Sequence, residues 1–278
     1  MREIDESKYE EEIKKLKRKQ RTIFWVDIIA LIIIVFSGGP LEFEFMGSVI
    51  EYQGIGFFAM VALIILCTGI TVIVSAISLM PLNTSMLQEC DPEKNLALNK
   101  ALNKSKNRNA MLSMDYFYLG HYEESIVYAN KNVESHNGAL ALTGLFNKAR
   151  GLFFLEGYEA FYKVADEYEV ALLKAKKLKP KMKDAYEKIN RMLYFMRAIA
   201  QNDTEKMNEL LKTVKPWNTS KPTEYYVNYI KGLAAYKLND TEEAIFRFKT
   251  VKEGIPSSAL SDLADNYLLL IKSEDKNG

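Results

Sequence analysis

The side chains able to do chemistry are few and scattered. The chain of 278 residues holds two histidines and two cysteines. Neither His121 nor His136 has a Cys or an acid at ligand spacing together with a second His, so no zinc-binding set forms. Cys67 and Cys90 cannot build a disulfide scaffold or a four-cysteine metal site. No Gly-rich phosphate loop, nucleophile elbow or paired-His helix motif occurs, and Gly38-Gly39-Pro40 closes an apolar run instead of opening a phosphate-binding helix. Asp166, Glu167 and Glu169 lie along a lysine-rich helix and read as a solvated face. The residues therefore argue against an enzyme and imply no cofactor and no metal.

Charge excludes a further class of partner. The formal net charge is +1. The run Lys174, Lys176, Lys177, Lys179, Lys181 and Lys183 around Pro180 lacks the aromatic neighbours on which bases stack, so no nucleic-acid partner is expected. A solvated face is the first reading of that run, and contact with anionic lipid the second.

Hydropathy is uneven along the chain. From Ile23 to Met80 there is no Lys or Arg. Two apolar runs in this stretch, 23–38 and 55–80, read as transmembrane helices joined by a short external loop, 39–54. Asp27 and Trp25 would mark the first interface. Residues 1–22 read as a charged cytoplasmic helix. Its block Lys14, Lys15, Lys17, Arg18, Lys19 and Arg21 would face the membrane surface. The positive-inside rule then places both termini in the cytoplasm of an integral membrane protein whose Lys/Ile-rich composition looks bacterial. Residues 91–278 would form the cytoplasmic domain.

That domain reads as helical throughout. Asp91-Pro92-Glu93 has the order of a helix start: N-cap, first-turn proline, first-turn acid. The stretches 111–126 and 230–245 share a small residue (Ser113, Gly232) and a turn of aromatics. Each then has a residue tolerant of the left-handed conformation (Gly120, Asn239) and a second helix opening Glu-Glu-small-Ile. Asp240 and Glu243 have capping-box spacing. Further turns fall at Glu156-Gly157-Tyr158 and Asn202-Asp203-Thr204. The successive intervals from Tyr122 to Tyr158, Tyr158 to Thr204 and Thr204 to Thr241 are 36, 46 and 37 residues.

This pattern resembles the tetratricopeptide repeat, a helix–turn–helix unit of about 34 residues that stacks into a solenoid. Gly232, Tyr236, Ala244, Phe248 and Pro256 match its small, aromatic and proline positions, and the likeness spans roughly 107–256. Joined to the two apolar runs, the resemblance gives an expected all-α protein: a two-helix transmembrane hairpin followed by a solenoid of about four helix pairs and a capping helix. It also implies a groove lined by the first helix of each pair, which would hold a protein or peptide partner. Mapping the pattern places Met114, Phe117, Phe146, Arg150, Phe153, Met192, Met196, Tyr226, Tyr229 and Tyr236 there. The expected function is a membrane-anchored adaptor or scaffold. Two alternatives stand beside it: an accessory subunit of a transporter, meeting a membrane-protein partner through the hairpin, and a sensor of a hydrophobic signalling peptide.

Overall fold

The structure, a computed structural model, describes residues 4–37, 41–45, 48–52, 61–62, 64–70, 85–86, 89–103, 105–135, 137–175 and 178–277. The chain divides into two units, Lys8–Pro81 and Met1–Ser7 with Leu82–Gly278.

In the first unit a single helix, α1 (Glu10–Ser37), runs through both the charged block and the first apolar run. A hairpin follows, β1 (Leu41–Phe45) and β2 (Ser48–Tyr52), antiparallel with Leu41 opposite Tyr52 and Phe45 opposite Ser48. The alternation Leu41-Glu42-Phe43-Glu44-Phe45 accounts for it, because a period of two suits a strand. Among the described residues no helix is long and apolar enough to cross a membrane. The expected integral-membrane placement, with its two-span hairpin, is corrected on this finding. The basic block occupies the start of α1. The apolar remainder from Ile23 falls short of the ~20 residues a span requires and contains Asp27. Lys14, Lys15, Lys17, Arg18, Lys19 and Arg21 are exposed along this helix. Of the expected second span, only 61–62 and 64–70 lie within the described residues.

The second unit is helical: α2 (Pro92–Leu102), α3 (Arg108–Tyr118), α4 (Tyr122–Val133), α5 (Gly138–Phe154), α6 (Tyr158–Lys174), α7 (Pro180–Gln201), α8 (Thr204–Thr213), α9 (Lys221–Lys237), α10 (Thr241–Gly254) and α11 (Ala259–Asn277). Each helix packs on its neighbour in sequence, and α3, α5, α7, α9 and α11 also pack on the next but one. No contact of similar extent joins α4, α6, α8 and α10 to one another. The odd-numbered helices therefore form one inner layer.

Four turns of one design build this alternation. Gly120, Glu156, Asn202 and Asn239, which follow α3, α5, α7 and α9, have φ of 81°, 57°, 53° and 60°. In each, the next residue's N–H donates to the carbonyl five positions back: His121 to Tyr116, Gly157 to Leu152, Asp203 to Ala198 and Asp240 to Ala235. This is the left-handed helix stop that satisfies orphan carbonyls. Asp203 and Asp240 then cap the following helices, accepting from the N–H of Lys206 and Glu243 at 3.1 Å. Small residues let the paired helices close. Ser113 Oγ donates to Ser125 O at 2.8 Å while Ser125 Oγ donates to Ser113 O at 2.7 Å. At Gly232 a Cβ would meet the Phe248 ring at 2.8 Å.

Candidate functional site

The inner layer forms a half-open cavity of about 340 Å³, walled by α3, α5, α7 and the segment that leads into α9. Its apolar lining includes Met111, Met114, Phe146, Ile189 and Trp217. Thr143, Asn147, Tyr186 and Thr223 add polar groups, and the half-exposed Met182 and exposed Asn218 stand at its edge. The walls are tied together. Tyr186 Oη donates to Ala139 O at 2.9 Å, Asn147 Nδ2 donates to Ala110 O at 3.3 Å, and Tyr118 Oη donates to Pro222 O at 2.8 Å. The last bond joins the first pair of the array to the fourth. Trp217 meets the Phe146 ring edge-on at 5.0 Å between centroids, so the segment before α9 is held against α5.

Among the described residues, Arg150 is the one charged side chain lining this cavity. It is 2% exposed, and its Nε and Nη2 have no hydrogen-bond partner. Its guanidinium carbon lies 4.2 Å from the centroid of the Phe117 ring and 5.4 Å from that of Phe146. Ring faces attract a desolvated cation by about 2 kcal/mol, less than the several kcal/mol that stripping water from it costs. Burial accordingly pulls the Arg150 guanidinium below its ordinary pKa.

Its acidic neighbour does not neutralise it at ordinary pH. Asp115 on α3 is fully buried, and burial pushes its carboxyl from 3.8 up to about 8, against the opposing pull of Arg150 and two amide hydrogen bonds. Those come from Asn95 Nδ2 to Oδ1 at 2.5 Å and Asn99 Nδ2 to Oδ2 at 2.8 Å. Ser85 Oγ and Asn103 Nδ2 extend the network by donating to Asn95 Oδ1 and Asn99 Oδ1. Burial also raises the hydroxyls of Tyr118 and Tyr226, which stay neutral.

Of the ten residues assigned to a groove, the cavity brings together Met114, Phe146 and Arg150. Phe117, Phe153, Met192, Met196, Tyr226 and Tyr229 are buried in the core, and Tyr236 is half-buried against it. The aromatics of α9 occupy the inner surface: Tyr226 packs on Phe117 at 5.7 Å and Tyr229 stacks on Phe154 at 5.6 Å. Trp217, Asn147 and the Asp115 network were not singled out from the sequence. Trp217 lies in a linker outside the helical period. Asp115 faces α2 from a position that the repeat pattern leaves unmarked. His121 stands at the start of α4, with Nδ1 3.7 Å from a Glu124 carboxylate oxygen, and His136 lies outside the described residues. Among the described residues no group of three or more His, Cys, Asp or Glu could hold a metal.

In comparisons with known proteins, no family model, no curated protein and no solved structure matches this chain.

Proposed function

We propose that the second unit is a tetratricopeptide-like array of four helix pairs, α3–α4 to α9–α10, closed by α11, and that it is a non-catalytic binding module. It takes an apolar segment of a protein or peptide partner into the inner-layer cavity. The observation that carries this reading is the cavity itself, whose size falls in the ~300–1,000 Å³ range of ligand sites and whose lining is mostly apolar with a few placed polar groups. The i, i+2 contacts of the odd-numbered helices and the four repeated left-handed stops support the array. An adaptor of this kind acts by holding its partner, so its effect follows from occupancy and not from turnover. Sensing of a hydrophobic peptide uses the same site and differs in what occupancy changes.

Selection of peptides from a displayed random library on the full-length chain tests the proposal. The selected peptides should share an apolar anchor. They should lose tenfold or more in affinity when Ala185→Phe, at a wall residue on α7, fills the cavity, and keep it when Val127→Lys alters the exposed face of α4. Equal binding to Ala185→Phe would refute the assignment.

A further inference from the structure

We propose that a second face of the array, formed by α2, α3 and α4, is a docking site for a protein segment of the pattern apolar–Asp–acid, and that the chain's own Ile4-Asp5-Glu6 fills it as a built-in competitor. The site lies apart from the cavity, and the inference does not rest on that reading. On α3 the cavity takes Met111, Met114 and Tyr118, whereas Leu112, Tyr116 and Leu119 follow one another at i, i+4 and i+7 on another face. With Leu96 of α2 these three form an apolar cluster separate from the main core.

The segment belongs to the same compact unit as the array. Three different contacts hold it. Ile4 packs on the apolar cluster beside Tyr128. Asp5 N–H donates to Glu93 Oε1 at 2.7 Å, and Lys100 Nζ donates to Glu6 Oε1 at 2.5 Å. Glu93, Leu96 and Lys100 stand at i, i+3 and i+7 of α2 and so share one face of that helix. That face supplies an acceptor for the segment's backbone, an apolar floor for its Ile and a cation for its Glu. Asp5 shapes the segment from within, since its Oδ1 accepts from Ser7 N–H at 3.1 Å and fixes a turn. Lys100 is itself placed: its Nζ lies 5.2 Å from the centroid of the Tyr116 ring, which stacks on Tyr128 at 5.4 Å. Burial pulls the Lys100 ammonium down, but Glu6 and Tyr116 more than offset it and leave it above its ordinary pKa.

The contacts are specific and few. Ile4 and Glu6 remain half-exposed, and the ion pair is open to water. A segment held this way exchanges. The tethered copy prevails through its effective concentration, and an external segment presenting the same groups displaces it when its own concentration or apolar area is greater. An acidic run without the apolar residue has no anchor here, and a basic run meets Lys100. The partner chemistry is therefore an apolar side chain followed, two positions on, by a carboxylate.

The test titrates a fluorescein-labelled peptide with the sequence of residues 2–8, by anisotropy, against the full-length chain and against its Ile4→Asp variant, whose own segment has lost its anchor. The peptide should saturate the variant below millimolar concentration and bind the native chain tenfold or more weakly. A peptide carrying the same Ile4→Asp change should bind neither. Lys100→Glu in the Ile4→Asp background should cost tenfold or more, and a Glu6→Lys peptide should regain part of that loss, a reversal that a merely structural role for Lys100 does not give. Ala185→Phe should leave these affinities unchanged, so failure here is told apart from failure of the cavity reading. Equal affinity for the native and Ile4→Asp chains overturns the built-in competitor, and no saturation at millimolar concentration overturns the site. Undiminished binding to the Lys100→Glu chain places the peptide elsewhere and overturns it too. A native dimer that the peptide splits on gel filtration would give the segment to a second copy and overturn the arrangement within one chain. Melting curves report whether Lys100→Glu folds; should it not, Lys100→Gln takes its place and should erase the difference between the original peptide and a Glu6→Gln peptide.

Discussion

Replacing Asp115 by Asn turns the buried polar network into a measurement of the site's electrostatics. Native Asp115 keeps its proton to about pH 8, whereas the unfolded carboxyl releases it near 3.8. Between those values the native state binds the extra proton, so stability falls as pH rises, by at most ~1.4 kcal/mol per unit for one group. From pH 5 to 8 that amounts to roughly 3–4 kcal/mol, and the fall levels off above 8. Asp115→Asn removes the titration. It also costs one acceptor, because Asn99 Nδ2 now meets an amide in place of Oδ2, a loss of about 1–3 kcal/mol. The variant should therefore be the less stable protein at pH 5 and the more stable one at pH 9, with the curves crossing near neutrality. Urea unfolding of both proteins in a Trp25→Phe background, followed by Trp217 fluorescence at each pH, reads the difference directly, and every other titrating group cancels in it. A difference between the two proteins that stays constant from pH 5 to 9 would refute the assignment of a neutral, buried Asp115.

Three further outcomes follow from backbone and burial. Glu156 holds φ of 57°, a conformation that costs an ordinary L-residue about 1–2 kcal/mol, so Glu156→Gly should raise the melting temperature although it removes a side chain. Gly144→Ala should lower it: the new Cβ would stand 2.7 Å from Val133 N and 2.8 Å from Ala129 O, both backbone atoms. Forcing α4 and α5 apart costs about 1–3 kcal/mol, more than the ~1 kcal/mol of helix propensity gained. Gly138→Ala, with open space around it, serves as the control. Cys90 is 4% exposed and burial raises its thiol above the ordinary value, so an aromatic disulfide reagent should leave it unmodified in the native protein and titrate it after unfolding in urea.

The helical array was legible because its signals are local. Gly120 and Asn239 announce left-handed stops by residue type, spacing adds turns at Glu156-Gly157 and Asn202, and the structure places a left-handed residue in each of the four, at Glu156 and not Gly157 in the second. Ser113, Gly232 and Ala244 likewise mark close crossings by size alone. The hairpin of β1 and β2 was also written locally, in the alternation of Leu41 to Phe45. It was missed because the stretch was read as a connection between spans. The membrane reading failed for a related reason. Mean hydropathy over 23–38 does not show that the apolar part of α1 is too short once the helix is seen to begin at Glu10, with its first turns given to Glu and Lys.

The site was legible only by half, and the division has a physical cause. The repeat pattern tells which face of α3, α5 and α7 turns inward, and so it finds Met114, Phe146 and Arg150. It does not tell how tightly the array curls. That is decided by contacts between residues more than a hundred positions apart, such as Tyr118 Oη on Pro222 O, which bring α9 across the inner surface. Once α9 arrives, Tyr226 and Tyr229 fill what an open groove would have left free, and the groove contracts to a cavity beside Trp217. The same curling strips water from Arg150 without supplying a partner for its free edge. An open groove would have left that guanidinium hydrated and unremarkable. Long-range closure of the array leaves it a buried charge beside an apolar wall, an outcome that no motif on a single helix announces.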